Sequence, residues 1–190
     1  MTRTALTFRD ALLATCLLVL LLLITLRLSG GKETRIDGPF YVIDGDTLSV
    51  DGERLRLRGI DAPEMGQACR DEAGETWACG QAARHALLRL VDRDDVQCRG
   101  AGHDRYGRLL VECDAKGRSI NGSMVAQGMA LASGGYQGEE AEARKGRRGL
   151  WAGDFETPRH WRQENDATDK AGLLDDLWGR LRTLFDWVAR

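Results

Sequence analysis

The sequence predicts an α+β domain, a small β-barrel packed by helices, and three observations carry that prediction. Short β-forming runs after Pro39 are separated by Asp-Gly turns. The run "ERLRLRGI", 53–60, alternates strictly, with Leu55 and Leu57 on one side and Arg54, Arg56 and Arg58 on the other. Helical periodicity is inserted among the strands and returns after the last of them, an order that suits a small barrel with helices packed on it.

Size and charge set the outer bounds. A chain of 190 residues holds one medium domain plus appendages. A formal charge of −2 excludes a globally basic binder of the histone type, while leaving room for a local basic cleft.

Taken in order, residues 1–10 are a short tail and residues 11–26, "ALLATCLLVLLLLITL", carry no charge. The run reaches Leu28 if Arg27 snorkels, near the lower limit of about 17–25 residues for a spanning helix. A secretory h-region is shorter, about 7–15 residues, and ends at an A-x-A-like site. "LRLSGG" is a poor match, so a transmembrane signal anchor over 11–28 is expected, with a cleaved, secreted protein as the alternative. A buried core helix is the third reading, disfavoured because the run is apolar on all faces. Flanking charges do not orient it, since Arg3 and Arg9 precede it and Arg27, Lys32 and Arg35 follow.

Residues 29–37, "SGGKETRID", read as a linker, and 38–162 as the domain. "FYVI" leads into an Asp44-Gly45-Asp46 turn, "LSV" follows, and Asp51-Gly52 is a hairpin signal. Residues 76–91 turn helical, with Ala82, Ala86, Leu87, Leu90 and Val91 on one side. Strands are expected near 95–99 and 108–113, joined through "DAKG" to a short helix near 120–127 that stops at Gly128. "EEAEARKGRRGLW" opens with Glu and closes with Arg and Lys, matching a helix dipole.

The segment 163–190 is separate. Leu173, Leu174, Leu177, Trp178, Leu181, Leu184, Phe185 and Val188 form an apolar stripe at helical spacing after an Asp166/Thr168/Asp169 capping region. Its polar face mixes Asp175, Asp176 and Asp186 with Arg180 and Arg182, which argues against an anionic membrane surface. Docking on its own domain or on a protein partner is expected.

Cys16 lies in the apolar run, and Cys69, Cys79, Cys98 and Cys113 lie in the domain. No CxxC pair occurs, and His85, His103 and His160 lack zinc-like spacing. Four cysteines fit two disulfides and an oxidising compartment, against the alternative of four free thiols. Together with the short N-terminal tail they place the domain outside the cytoplasm, in a periplasmic or other extracytoplasmic space.

Two carboxylates at one strand turn, Asp44 and Asp46, are either a solvated turn or part of a hard-cation site. An EF-hand fails, because counting from Asp44 puts Ser49 at the glycine position and Leu55 at the bidentate Glu position. Partners must come from elsewhere. "GIDAPE", 59–64, supplies Asp61 and Glu64 around the stiff Pro63, beside the arginine-bearing strand. "HDRYGRLL", 103–110, is a hairpin turn in the plain reading. It also offers Arg108 as a second planar guanidinium suited to phosphate.

"VIDGDT", "RLRGIDAPE" and "DRYGRLL", in this order and spacing, resemble the staphylococcal nuclease (thermonuclease) family, and the likeness continues through "INGSMVAQGMA" and "EAEARKGRRGLW". It covers roughly 38–162, leaving out the apolar run and the tail. The resemblance implies an OB-fold five-stranded barrel and a Ca²⁺-dependent phosphodiesterase acting on DNA, RNA or both and leaving 3′-phosphates. It makes Asp46 and Asp61 calcium ligands with the Ala62 carbonyl, Glu64 the general base or water positioner, and Arg56 and Arg108 the transition-state pair. Arg105 and Tyr106 fall where the family contacts substrate phosphate, and Asp44 supports the turn.

This chain departs from the pattern in three places. Ala62 follows the metal-binding Asp where the best-known member has Thr. The stretch after "APE" is longer and holds Cys69 and Cys79, read as one disulfide, with Cys98 and Cys113 on neighbouring strands as the second. The tyrosine-bearing stretch is "LASGGYQGEE", with Tyr136 its one aromatic. The competing function class is a non-catalytic OB-fold module for single-stranded nucleic acid, and a phosphodiesterase for another polyanion is a third.

Overall fold

A computed structural model describes residues 8–28, 33–92 and 95–165. The amphipathic stripe expected in 163–190 therefore lies outside the described residues, apart from 163–165.

The apolar run folds as helix α1, Phe8–Leu28, with its side chains from Leu12 to Ile24 exposed. The uncharged stretch between Asp10 and Arg27 rises about 24 Å, short of a hydrocarbon core of roughly 30 Å. Among the described residues no helix is long and apolar enough to cross a membrane, which corrects the transmembrane expectation for 11–28.

The domain strings together β1 (Thr34–Asp37), β2 (Tyr41–Val42), β3 (Thr47–Val50), β4 (Glu53–Leu57), β5 (Ile60–Asp61), β6 (Cys69–Arg70) and β7 (Thr76–Trp77). Helix α2 (Cys79–Val91) follows, then β8 (Val96–His103), β9 (Leu109–Ala115), β10 (Arg118–Ser119), α3 (Ile120–Ala126), β11 (Leu131–Ala132) and α4 (Gln137–Lys145). A 3₁₀ turn, Gly149–Ala152, and a helical segment at 158–165 complete it.

The main sheet runs β1-β8-β9-β4-β3-β2, with β10 beside β9. Its pairings are antiparallel except β4 with β9, which run parallel with Leu55 opposite Leu109. The sheet curls as a half-barrel with helices packed on it, the α+β architecture expected, where a five-stranded barrel had been anticipated. Strand β2 is two residues long, too short to carry a ladder round to β1, and a groove lined by Phe40, Leu88 and Val91 lies in that region. Thr34–Asp37, read as linker, is in fact edge strand β1 on β8, with Ile36 packed against the core. One apolar residue among polar neighbours is too little alternation to reveal a strand.

Leu48, Leu55, Leu57 and Val111 are fully buried against α2 and α3, so β4 has the half-buried character its alternation implies. Helix α2 buries Ala83 where Ala82 had been expected, and Leu90 is only half-buried. Ala86, Leu87 and Val91 are buried as expected, and the first turn packs tightly on the loop after β5, where Gly80 meets the Glu64 carbonyl. Cys98 and Cys113 face each other across β8 and β9 and are bonded, as are Cys69 and Cys79.

One buried side chain ties sheet to helix. Asn121, at the start of α3, accepts the Cys113 N–H at 3.0 Å and donates to the Arg58 carbonyl at 3.0 Å and the Val111 carbonyl at 3.2 Å. It thereby ties α3 to the sheet where β4 leaves β9, sharing the Val111 carbonyl with the Arg58 N–H at 2.8 Å. Asn121→Ala removes all three bonds from a buried site and should lower stability by about 3 kcal/mol in chemical denaturation, well beyond a surface substitution.

Candidate active site

The site begins at the turn between β2 and β3. The Asp46 N–H donates to the Asp44 carboxylate at 3.0 Å, a local bond that turns the Asp46 side chain inward. Gly45 is needed for close approach, since a Cβ there would lie 2.7 Å from that of Ala62 and 2.8 Å from that of Ala83. Asp46 is therefore clamped against the "DAPE" loop, with its side chain only 3% exposed.

Three donors surround that carboxylate. The Ala62 N–H reaches Oδ2 at 3.0 Å, the Thr47 hydroxyl reaches Oδ1 at 3.1 Å, and Arg56 Nη1 also bonds Oδ1. The other arm of Arg56, Nη2, donates to Asp61 Oδ1 at 2.9 Å. Strand β5 fixes Asp61 by pairing it with Leu131 of β11. The two acids thus face one guanidinium, which is itself 17% exposed.

Arg108 comes from the turn before β9. Asp104 holds it, accepting from its backbone N–H at 3.0 Å and from Nε at 2.8 Å, while its Nη1 donates to Thr47 Oγ1 at 3.3 Å. Thr47 in turn bonds Asp46, so Arg108 is one hydroxyl away from the acidic pair. Arg105 and Tyr106 sit exposed at the tip of the same turn, with the Arg105 guanidinium 4.8 Å from the Tyr106 ring centre.

Glu64 is positioned through its backbone. Its N–H donates to Gln67 Oε1 at 3.2 Å, and its carbonyl accepts the Gln67 N–H at 2.8 Å. That carbonyl lies where a Cβ on Gly80 would be, only 1.7 Å away, so the first turn of α2 must carry glycine there. The Cys69–Cys79 disulfide closes the same loop onto α2.

Arg54, Arg56, Glu64, Arg105, Tyr106, Arg108 and Arg162 line one cleft of about 450 Å³. The sequence reading did not single out Gln67 or Arg162. Gln67 is buried and donates from Nε2 to the Glu156 carbonyl at 2.6 Å. Arg162, on the helical segment at 158–165, donates to Glu64 Oε1 at 2.5 Å and to both Asp61 oxygens at 3.0 and 3.1 Å. No motif flags either residue, because each acts from beyond the segments that carry acidic and arginine patterns. Tyr136 lies elsewhere, lining a surface pocket with Arg99, Glu112 and Ser119.

Two carboxylates converging from separate strands, one of them buried, suit a hard cation with oxygen ligands. Glu156, His160 and Glu164 form a second close group, on an exposed stretch at i,i+4 spacing, which reads as surface ion pairs.

The staphylococcal nuclease homologue family model matches residues 54–153, just over half of the chain. This chain belongs to the staphylococcal nuclease family. Among relatives, the succinoglycan biosynthesis protein ExoI of Rhizobium meliloti is 35% identical over 128 residues, covering 64% of this chain and 67% of the relative. A micrococcal nuclease of Shigella flexneri is 36% identical over 145 residues, covering 64% and 77%. An uncharacterized endonuclease of Haemophilus influenzae is 33% identical over 158 residues, covering 76% and 83%.

In this staphylococcal nuclease family member, burial pushes the Asp46 carboxyl up from 3.8 to about 7, overcoming the opposing pull of Arg56. A carboxyl with higher proton affinity folded than unfolded favours the fold fully below about pH 4 and loses that contribution as pH rises through about 7. In chelator, the Asp46 contribution to denaturation free energy should therefore decline across that window. Asp46→Asn should flatten the decline.

Proposed function

We propose that this protein is a calcium-dependent nuclease, hydrolysing phosphodiester bonds of DNA, RNA or both by in-line attack of water and leaving 3′-phosphates. The observation that carries the reading is the convergence of Asp46, Asp61 and Glu64 with Arg56 and Arg108 around one cleft. Membership of the staphylococcal nuclease family supports it, as do relatives named micrococcal nuclease and endonuclease.

Asp46 and Asp61, with the Ala62 carbonyl, would hold Ca²⁺. Two carboxylates give a loose site, roughly 10⁻⁴–10⁻³ M. Bound calcium supplies positive charge against the phosphate oxygens as the transition state forms. Glu64 takes or orients the proton of the attacking water. Arg56 and Arg108, already oriented by acidic partners, donate to the non-bridging oxygens where charge accumulates. Arg105 and Tyr106 reach the flanking phosphate from the exposed turn. A non-catalytic binding module has no use for two converging acids, one of them buried, which are costly unless paired.

Two disulfides and weak calcium affinity together support an extracytoplasmic location for the domain. In that reading α1 is the export signal of a cleaved, secreted protein.

Glu64→Gln and Arg56→Ala should each reduce turnover by about 10²- to 10⁴-fold while circular dichroism stays unchanged. Turnover at the parent level in either variant removes these residues from the chemistry. A gel assay over RNA, single-stranded DNA and duplex DNA should show cleavage that a chelator abolishes and calcium restores. Retarded but intact strands would instead establish the binding module.

A further inference from the structure

We propose that Arg162 is a built-in competitor of the metal, a guanidinium latch seated on Asp61, one of the two carboxylates that would hold calcium, and on Glu64 beside it, and displaced when the cation binds. The inference rests on the assignment of Asp61 as a calcium ligand. Arg162 Nη2 lies 3.0 and 3.1 Å from the two oxygens of Asp61, and Nη1 lies 2.5 Å from Glu64 Oε1. One nitrogen shared between both Asp61 oxygens, with the other arm on Glu64, leaves a dication no oxygen of Asp61 free of a competing positive charge. Like charges that close repel, so guanidinium and calcium exclude one another on Asp61.

The contact is built in by the chain around it. Arg70 and Asp154 exchange two backbone hydrogen bonds at 2.8 and 3.1 Å, fixing the irregular stretch that leads to the helical segment. Gln67 then ties the Glu64 loop to the Glu156 carbonyl at 2.6 Å, directly before that segment begins. The Trp161 ring lies 3.8 Å from the Cβ position of Gly66 and seats the segment on the same loop.

Arg56 also bonds Asp61, but the two arginines differ in freedom. Arg56 stands on β4 inside the sheet with 17% of its side chain exposed, whereas Arg162 is 37% exposed on the terminal helical segment. Arg162 is the one able to withdraw. Apparent calcium affinity is then reduced by the fraction of molecules in which the latch is open.

The test is a calcium titration by calorimetry on the full-length chain, comparing the parent with Arg162→Gln, Arg162→Lys and Asp61→Asn. Arg162→Gln should bind calcium about 3- to 30-fold more tightly, with Arg162→Lys between it and the parent. A residue needed only for structure would weaken binding when removed, so the direction of the change separates the two roles. Hydrogen exchange on the parent, which needs no variant, should speed up in 158–165 at saturating calcium. Equal or weaker affinity in Arg162→Gln, with binding abolished in Asp61→Asn, overturns the latch and leaves the calcium site standing. Exchange in 158–165 that calcium does not change also overturns the latch. Undiminished binding in Asp61→Asn overturns both.

Discussion

The bridge made by Arg56 between Asp46 and Asp61 is the interaction on which the cleft depends. An unpaired carboxylate as deeply buried as Asp46 would be costly, and a second acid beside it would add repulsion. A planar guanidinium with two donor arms offsets part of both penalties, because each arm meets a different acid, while burial still outweighs it at Asp46. Lysine at the same position would offer a point charge without the fork. The bridge therefore explains how acids from β5 and from the turn before β3 can be drawn together before any cation arrives.

Around that bridge the scaffold is built from close approaches. Gly45 lets the first turn press on Ala62 and Ala83, and Gly80 lets the Glu64 carbonyl rest on α2. The Asn121 side chain supplies hydrogen bonds where β4 peels away from β9, close to the start of the acidic loop. Such contacts leave little room for the loop to shift, which suits a site whose groups must be held in place in advance of reaction.

Much of this was legible in the sequence because it rests on local patterns. Alternation in 53–57 separates the buried Leu55 and Leu57 from Arg56, and the Asp-Gly pair at 51–52 forms the turn, both residues having positive φ. The Asp46, Asp61, Glu64, Arg56 and Arg108 set was found through three short motifs, each carrying its acidic or arginine pattern within a few residues. What escaped notice depends on distant partners. Arg162 meets Asp61 across a separation of 101 residues, and Gln67 meets Glu156 across 89. Strand β1 was missed because its pairing with β8, and not its own pattern, makes it a strand.

The parallel pairing of β4 with β9 limits how this chain can change length. Leu55 is locked between Leu48 and Leu109, so one residue gained inside β4 would turn the leucines toward the cleft and Arg56 into the core. Insertions there are barred whatever their chemistry. The tip at 71–75, beyond the short β6–β7 ladder, is exposed and bonded chiefly to itself through Asp71. Descendants of this chain are free to lengthen at that tip while the five ionic groups keep their places.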